Sequence, residues 1–159
     1  MDELLQLLKR NALESPADLA RMLNVSEKEV TERIAEYERA GIIRGYKAIV
    51  NEDQLDLDAV QAAIEVRITP DRDRGFDHVA QQISRFDEVQ SLFLMSGGHD
   101  LLVFVRGATL KNVAFFVNEK LATIEGVLST ATHFVLKTYK QDGFLMQAEP
   151  EHERLQVSP

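Results

Sequence analysis

The chain has 159 residues, 45% of them hydrophobic, which is enough apolar material for one ordinary domain or two small ones. It contains no cysteine, and this excludes disulfides, thiolate nucleophiles and thiolate zinc sites. The formal net charge of −8 argues against indiscriminate nucleic-acid binding, because phosphate affinity comes from lysine and arginine, so any DNA-binding surface has to be local.

The N-terminal sequence predicts neither a membrane span nor a secretory leader. No stretch reaches the roughly 20 apolar residues that cross a bilayer, and the opening MDELLQLLKRN is acidic at its start. We therefore expect a cytoplasmic protein without membrane contact.

Short helices are predicted at the N-terminal end. The first has one apolar face, formed by Leu4, Leu5, Leu7 and Leu8. The second begins at Ser15, a capping residue that is followed by a proline at the first helical position and by Asp18 at the third.

A third helix is predicted by a capping box and a buried stripe. Ser26 and Glu29 have the S-x-x-E spacing in which each side chain caps the backbone N–H of the other residue. The apolar stripe that follows is Val30, Ile34 and Tyr37. Gly41 is a natural helix stop. Two capped helices joined by a few residues match the helix-turn-helix arrangement, although a plain helical hairpin without function fits the same spacing.

A strand and a polar connector are expected next. IIRGYKAIV, residues 42–50, has the β-branched and aromatic content of a strand, interrupted by a glycine. NEDQLDLD is polar, and the composition changes after it. We therefore predict a helix-turn-helix domain with its following strand over residues 1–50, a linker over 51–58 and a second domain over 59–147.

The second domain is predicted to have the order β-α-β-β-α-β. Its first strand, AVQAAIEVRI, alternates apolar and polar residues, so one face is buried. Two helices are predicted from apolar stripes, the first containing Phe76, Val79, Ile83 and Phe86 and the second containing Leu110, Val113, Val117, Leu121 and Ile124. The other strands are VQSLFLM, DLLVFV and GVLSTATHFVLKTY. This order indicates an α+β protein with a ferredoxin-like domain, and the tail 148–159 is predicted to be disordered.

In this order and spacing the segments resemble the family of the leucine-responsive regulatory protein and the asparagine-synthase regulator, Lrp/AsnC, also called feast/famine regulators. The resemblance covers nearly the whole chain. It is carried by ADLARMLNVSEKEVTERIAEYERAGIIRGYKAIVNEDQL for a winged-type helix-turn-helix, SGGHDLLVFV for a sensor hairpin and GVLSTATHFVLKTY for the last strand. It implies a transcriptional regulator that binds double-stranded promoter DNA and senses an amino acid through a RAM-like ferredoxin domain. It also implies homodimers that assemble further, often into octamers.

The candidate DNA contacts lie on and just after the third helix. Residues 1–52 carry eight lysines and arginines against ten aspartates and glutamates, a net charge of −2 that is unusual for such a domain. Glu32 faces outward, where it either accepts from a cytosine amino group or repels phosphate, and the family commonly has a basic residue at this position. The predicted contacts are Lys28, Thr31, Glu32, Arg33, Arg44 and Lys47. Arg44 and Lys47 are equally consistent with solvated charges at a strand edge.

The candidate effector site is the hairpin MSGGHD and the last strand. Paired glycines leave backbone amides uncovered for a carboxylate, and Asp100 suits an ammonium group. The predicted effector contacts are Met95, Ser96, Gly97, Gly98, His99, Asp100, Thr130 and Thr132. The family usually has an aromatic residue where His99 stands, and this difference leaves the identity of the ligand open. Two alternatives remain: a turn in which the glycines serve conformation only, and threonines that are simply strand formers. His133 is predicted to lie on the opposite face as a packed or interface residue.

Three rival functions are distinguishable from this interpretation. An enzyme is disfavoured because no catalytic, metal or nucleotide motif occurs, and we predict no cofactor, no metal site and no catalytic residue. An RNA-binding RRM, which has the same element order, is disfavoured because AAIEVRI has no aromatic residue for base stacking. The third rival is a co-regulator that senses an amino acid and acts by co-assembly, with little DNA binding of its own.

Overall fold

The computed structural model describes residues 2–55, 58–69 and 76–146. The chain divides between Ala48 and Ile49 into two units, called here the head unit and the sheet unit. We predicted the boundary within residues 51–58, and the division falls earlier because the start of that segment is bonded to the sheet unit. The Asn51 amide donates to the Met146 carbonyl, and Glu52 forms an ion pair with Arg106.

The head unit consists of three helices, α1 (Glu3–Arg10), α2 (Pro16–Leu23) and α3 (Glu27–Arg39). Both predicted serine caps are present: the Ser15 hydroxyl accepts from the Asp18 backbone N–H at 3.1 Å, and the Ser26 hydroxyl accepts from the Glu29 N–H at 3.1 Å. These caps satisfy N–H groups that have no partner inside the helix. The head core is Leu4, Leu8, Leu19, Ala20 and Val30.

The prediction of a strand over residues 42–50 is wrong. The first two N–H groups of this stretch, those of Ile42 and Ile43, donate to the Tyr37 carbonyl at 2.9 and 3.1 Å and cap the end of α3. Gly41 has a φ of +70° and turns the chain there. Residues 43–50 follow without strand pairing among the described residues, because a β-ladder needs a partner strand and the described chain supplies none.

The sheet unit begins with a 3-10 turn, Glu52–Gln54, and has β1 (Val60–Ile68), α4 (Asp77–Ile83), β2 (Val89–Leu94) and β3 (Leu101–Gly107). The helix α5 (Leu110–Phe115) continues as a π-helix (Phe116–Leu121) and leads to β4 (Val127–Phe134). The four strands are ordered β2-β3-β1-β4, and all pairs are antiparallel. This is the ferredoxin-like α+β topology that we predicted.

One face of this sheet is buried and the other is open. Ile64 pairs with Val103 of β3 and with Thr132 of β4 on the face that carries the core, and every second residue of β1 from Ala62 to Ile68 is buried. Val79, Ile83, Val113 and Phe116 of the helices belong to the same core. Glu65 and its neighbours at alternate positions lie on the opposite face, called here the open face.

The last strand is shorter than predicted. It ends at Phe134, not at residue 139, and a small hairpin follows, formed by β5 (Lys140–Gln141) and β6 (Phe144–Leu145). Asp142 and Gly143, with φ of 47° and 94°, make the turn. An Asp-Gly pair is a strong hairpin signal, and the prediction missed it. The predicted tail, 148–159, lies outside the described residues. No helix in the described ranges is long and apolar enough to cross a membrane.

Ile64→Ala should lower the free energy of unfolding of the sheet unit by about 2 to 5 kcal/mol, because it leaves a cavity under the central strand. Ile64 is fully buried, whereas Leu128 is 68% exposed. Leu128→Ala is therefore the control and should change the free energy of unfolding by less than about 0.5 kcal/mol. Urea unfolding followed by circular dichroism measures both variants, and equal effects would contradict the assigned core.

Candidate functional site

The outer surface of α3 carries the predicted base contacts. The Lys28 side chain is 84% exposed and that of Glu32 is 68% exposed, with Lys28 Nζ 3.8 Å from Glu32 Oε1. Thr31 is exposed, and its hydroxyl donates to the Glu27 backbone carbonyl at 2.9 Å. One turn of α3 therefore presents a cation, a hydroxyl and a carboxylate to solvent. The Lys28–Glu32 pair is too exposed to contribute much to stability.

Arg33 is directed toward α1 instead of outward. Its Nη2 donates to Asp2 Oδ1 at 2.7 Å, and its Nη1 lies 3.9 Å from Glu29 Oε1. The Tyr37 hydroxyl donates to the other oxygen of Asp2. The hydrogen bond from Tyr37, together with Arg33, lowers the pKa of Asp2. Arg33 is the one predicted DNA contact that is half-buried, while the other five are exposed.

The segment after α3 is anchored to the end of that helix. The Tyr46 hydroxyl donates to Glu38 Oε1 at 2.9 Å, and burial together with this carboxylate raises the pKa of Tyr46. A Cβ on Gly41 would lie 3.2 Å from Arg44 Nη1, so the Arg44 guanidinium lies over the glycine that ends α3. Arg44 and Lys47 are both exposed. Glu38 thus has a local partner, and this contact gives one of the acidic residues of α3 a structural role.

The predicted hairpin connects β2 to β3. Met95 N–H donates to the Asp100 carbonyl at 2.8 Å and closes the loop, whose tip includes the exposed Ser96. Gly97 has a φ of +133°, a conformation that other residues rarely adopt. Apart from their chain neighbours, no described atom lies within 4 Å of a Cβ built on Gly97 or Gly98. The hairpin tip therefore presents uncovered backbone.

Asp100 connects the hairpin to the end of β1. Its Oδ2 accepts from the Ile68 backbone N–H at 2.8 Å, and its own N–H donates to the Val66 carbonyl at 3.0 Å. One carboxylate oxygen is therefore committed to the fold. The predicted contact with a ligand ammonium group would therefore use the other oxygen, Oδ1.

His99 turns away from the hairpin tip and onto the open face. Its Nδ1 lies 3.6 Å from Glu65 Oε2, and its Nε2 is buried without a hydrogen-bond partner among the described residues. His133 Nε2 lies 3.5 Å from the other Glu65 oxygen. The sheet thus separates His133 from the two threonines of β4, in agreement with the alternation of the strand.

Thr130 and Thr132 lie on the core side of the sheet. They pair with Val66 and Ile64, and both are half-buried on an edge strand. The hairpin residues and these threonines belong to strands that β1 separates. Whether the two groups belong to one ligand site stays a prediction.

Arg67 is a residue of this region that the sequence analysis missed. Its Nε donates to the Gly98 carbonyl at 2.8 Å, so its guanidinium lies against the glycine hairpin. The signal in the sequence was the outward position of Arg67 in the alternating pattern of the first strand. Sequence alone did not indicate that this position adjoins Gly98 of the hairpin, 31 residues later.

Two family models match the chain. The Lrp/AsnC ligand-binding domain matches residues 61–145, and the winged helix-turn-helix DNA-binding domain matches residues 3–44. A transcriptional regulator of the helix-turn-helix type from Bacillus subtilis, YugG, which is uncharacterised, is 40% identical over 158 residues, or 99% of this chain and 95% of the relative. The leucine-responsive regulatory protein of Haemophilus influenzae is 28% identical over 144 residues, or 91% of this chain and 86% of the relative.

Solved structures show the same fold. A transcriptional regulator from Neisseria meningitidis in complex with L-methionine superposes with a TM-score of 0.69 at 28% identity, covering 89% of this chain and 93% of that one. AsnC from Escherichia coli superposes with a TM-score of 0.66 at 25% identity, covering 89% of this chain and 95% of that one. Both sequence relatives and the protein from Neisseria meningitidis are regulators.

Asp2→Asn should make the head unit less sensitive to acid. A carboxyl group whose pKa is lowered in the folded state stabilises the fold above its ordinary value of 3.8, and this stabilisation is lost as the pH falls through the folded-state pKa. Urea unfolding at about pH 6 and about pH 2.5 should therefore show a larger loss of stability for the wild type than for Asp2→Asn. Glu3→Gln removes the same charge one residue away and is the matched control. Equal acid sensitivity of Asp2→Asn and Glu3→Gln would contradict the role assigned to Asp2.

Proposed function

The chain belongs to the Lrp/AsnC family of transcriptional regulators, and we propose that it is an amino-acid-responsive regulator that binds promoter DNA as dimers, which assemble into larger oligomers. Its DNA-binding helix-turn-helix and its ligand-binding domain follow from the family. The amino-acid class of the effector and the assembly are the parts that we propose. The observation that carries the proposal is the open Gly97-Gly98 hairpin with the Asp100 carboxylate at its base.

The DNA-binding part is supported by the charge distribution on α3. Glu29 and Glu38 have partners in Arg33 and Tyr46, and a carboxylate near a helix N-terminus is favoured by the helix dipole. Lys28 and Thr31 extend into solvent from the N-terminal half of the helix, the half that reaches base edges in helix-turn-helix proteins. The exposed Arg44 and Lys47 supply further cations for phosphate. Binding through one head is modest, and two heads in a dimer strengthen it by avidity.

The effector part is supported by the chemistry of the hairpin. A free amino acid has a carboxylate and an ammonium group, and the hairpin combines uncovered backbone with a carboxylate oxygen, Asp100 Oδ1, that the Ile68 N–H does not take. The solved relative from Neisseria meningitidis was crystallised as a complex with L-methionine. This supports an amino acid as the class of ligand for the present chain.

The assembly part is supported by the open face of the sheet. Phe93 is 50% exposed there and packs edge-on against Phe104, with ring centroids 6.1 Å apart. Leu102 pairs with Phe93 on the same face and is half-buried. Aromatic side chains that stand in solvent next to aliphatic ones are typical of interface cores. A second copy of the chain, apposed through the same face around a twofold axis, would bury them.

An amino acid that binds one assembly more tightly than another shifts the population toward it. The size of this shift is limited by the difference between the two affinities. Such a shift changes how the DNA-binding heads are spaced along the promoter. We propose this as the regulatory mechanism.

A second candidate is the co-regulator that acts by co-assembly with a more basic relative. It is favoured by the exposed carboxylate of Glu32, which lies beside Lys28 and reduces the positive field of the groove-facing surface. Residues 1–52 have eight basic and ten acidic residues and are therefore net negative. A salt titration on DNA distinguishes the two candidates, because the co-regulator alone would show no salt-dependent complex with any fragment.

Lys28→Gln should weaken binding to the DNA upstream of the chain's own coding sequence. It should also reduce the slope of log affinity against log salt by about one unit for each phosphate that the side chain no longer neutralises. Glu36→Gln is the control, because Glu36 is exposed on the same helix but lies outside its N-terminal half. Fluorescence anisotropy of labelled duplexes over a range of salt concentrations measures both quantities. An unchanged slope for Lys28→Gln would argue against a DNA contact at this position.

Phe93→Ser should reduce the molar mass of the protein in sedimentation velocity toward that of a monomer, because it removes an aromatic group from the proposed interface. Leu128→Ser is the matched control on an exposed site of the edge strand β4 and should leave the mass unchanged. Runs with and without each amino acid test the shift between assemblies. A wild-type protein that is monomeric at every concentration would refute the dimer.

A further inference from the structure

Arg67 lies beside the glycine hairpin but belongs to another element. It is the last outward-facing residue of β1 before the strand ends, and its partner across the sheet is Ser129 of β4. Its side chain reaches the hairpin, where Nε donates to the Gly98 carbonyl at 2.8 Å. Arg67 is exposed. A cation is thus held at the rim of the uncovered backbone of Gly97 and Gly98.

We propose that Arg67 binds the carboxylate of the effector, and this inference rests on the proposed function as an amino-acid-responsive regulator. A guanidinium group has N–H donors on Nη1 and Nη2 as well as on Nε, and two parallel donors match the two oxygens of a carboxylate. The bond from Nε to Gly98 orients the plane of the group. This leaves its other edge for the ligand.

The hairpin backbone complements the cation. Within the described part of the chain, no backbone carbonyl accepts from the N–H groups of Gly97, Gly98 or His99, whereas those of Met95 and Asp100 are bonded. Free N–H groups beside a guanidinium form an anion-binding concavity. The absence of side chains on the two glycines lets a carboxylate approach them closely.

Arg67 lies near the end of β1, and the hairpin residue Asp100 is bonded to the same end of that strand. The two residues therefore provide opposite charges there. Asp100 Oδ2 accepts from the N–H of Ile68, the residue that follows Arg67. The carboxylate and the ammonium of an amino acid are joined through one carbon atom, so a site for both needs an anion and a cation close together. The pair Arg67 and Asp100 meets this need, and it selects free amino acids over amides and amines.

Glu65, two residues before Arg67 on β1, is directed away from the guanidinium. Glu65 is the closest acidic residue along the same face of β1, and its two carboxylate oxygens lie toward His99 and His133, at 3.6 and 3.5 Å. The residues paired with Glu65 on the neighbouring strands are apolar, Leu102 of β3 and Ala131 of β4. Arg67 therefore keeps its contact with the hairpin.

The alternative role for Arg67 is structural, as a tether that holds the Gly98 carbonyl. Both roles predict weaker effector binding when Arg67 is replaced. They differ in whether the loss of affinity depends on the carboxylate charge of the ligand. A tether affects a free amino acid and its carboxamide alike, whereas a carboxylate partner affects the free acid alone.

The test is isothermal titration calorimetry with the full chain. The proteinogenic L-amino acids are titrated singly into the wild type, and the tightest binder is then compared with its own carboxamide. The variants are Arg67→Gln and Arg67→Lys, with Arg85→Gln as a control that removes one exposed cation elsewhere in the sheet unit. Thermal melts establish that each variant is folded.

Arg67→Gln should bind the amino acid about tenfold to a hundredfold more weakly than the wild type, the range expected for loss of charge-assisted hydrogen bonds. It should also lose the preference for the acid over the carboxamide. Arg67→Lys, which keeps the charge without the paired donors, should lie between the two, and Arg85→Gln should match the wild type.

Two negative results have different meanings. If the wild type binds an amino acid and Arg67→Gln keeps both its affinity and its preference for the acid, the assignment of Arg67 is overturned and the proposed function stands. An equal loss for acid and carboxamide also overturns it, in favour of the tether. If the wild type binds none of the amino acids, the effector part of the proposed function fails, and the assignment fails with it.

Discussion

The rest of the structure depends on one constraint, the burial of a single face of the central strand β1. Its alternate residues from Ala62 to Ile68 are buried against the helices, and the strand pairs with β3 on one side and β4 on the other. This burial sets the register, because a slip by one residue would expose the whole apolar set. The register then decides that Glu65 and Arg67 face outward and that Asp100 meets the amide of Ile68. The geometry of the hairpin between β2 and β3 therefore depends on the packing of β1, a strand that is not part of the hairpin.

The acidic character of the head unit is compatible with DNA binding because two of the five glutamates on α3 have local partners. Glu29 lies in the first helical turn beside Arg33, and Glu38 accepts from Tyr46. Glu32 is different, since it stands in solvent beside Lys28 on the surface that we predict to face DNA. Net charge is therefore a poor guide to this surface. Under the proposed function, the affinity for DNA depends on a few exposed cations and on the number of heads that bind together.

Much of the fold was predictable, and the errors have physical causes. The caps at Ser15 and Ser26 and the alternation of β1 depend on neighbours in sequence, and the structure agrees with them. The stretch 42–50 has strand-forming residues, but strand formation requires a partner, and propensity contains no information about partners. The turn at Asp142 and Gly143 was predictable from its two residues. It was missed because the last strand was predicted to continue to residue 139.

The sequence by itself determined the element order, the apolar stripes and the type of residue at each candidate site, because these follow from local periodicity and side-chain chemistry. Only the tertiary structure decided which side chains are available. It turned Arg33 toward Asp2 and His99 toward Glu65, and it brought Arg67 to the Gly98 carbonyl. The physical reason is that a charged side chain binds the nearest opposite charge or unpaired polar group in space, and such neighbours come from segments far apart in the chain.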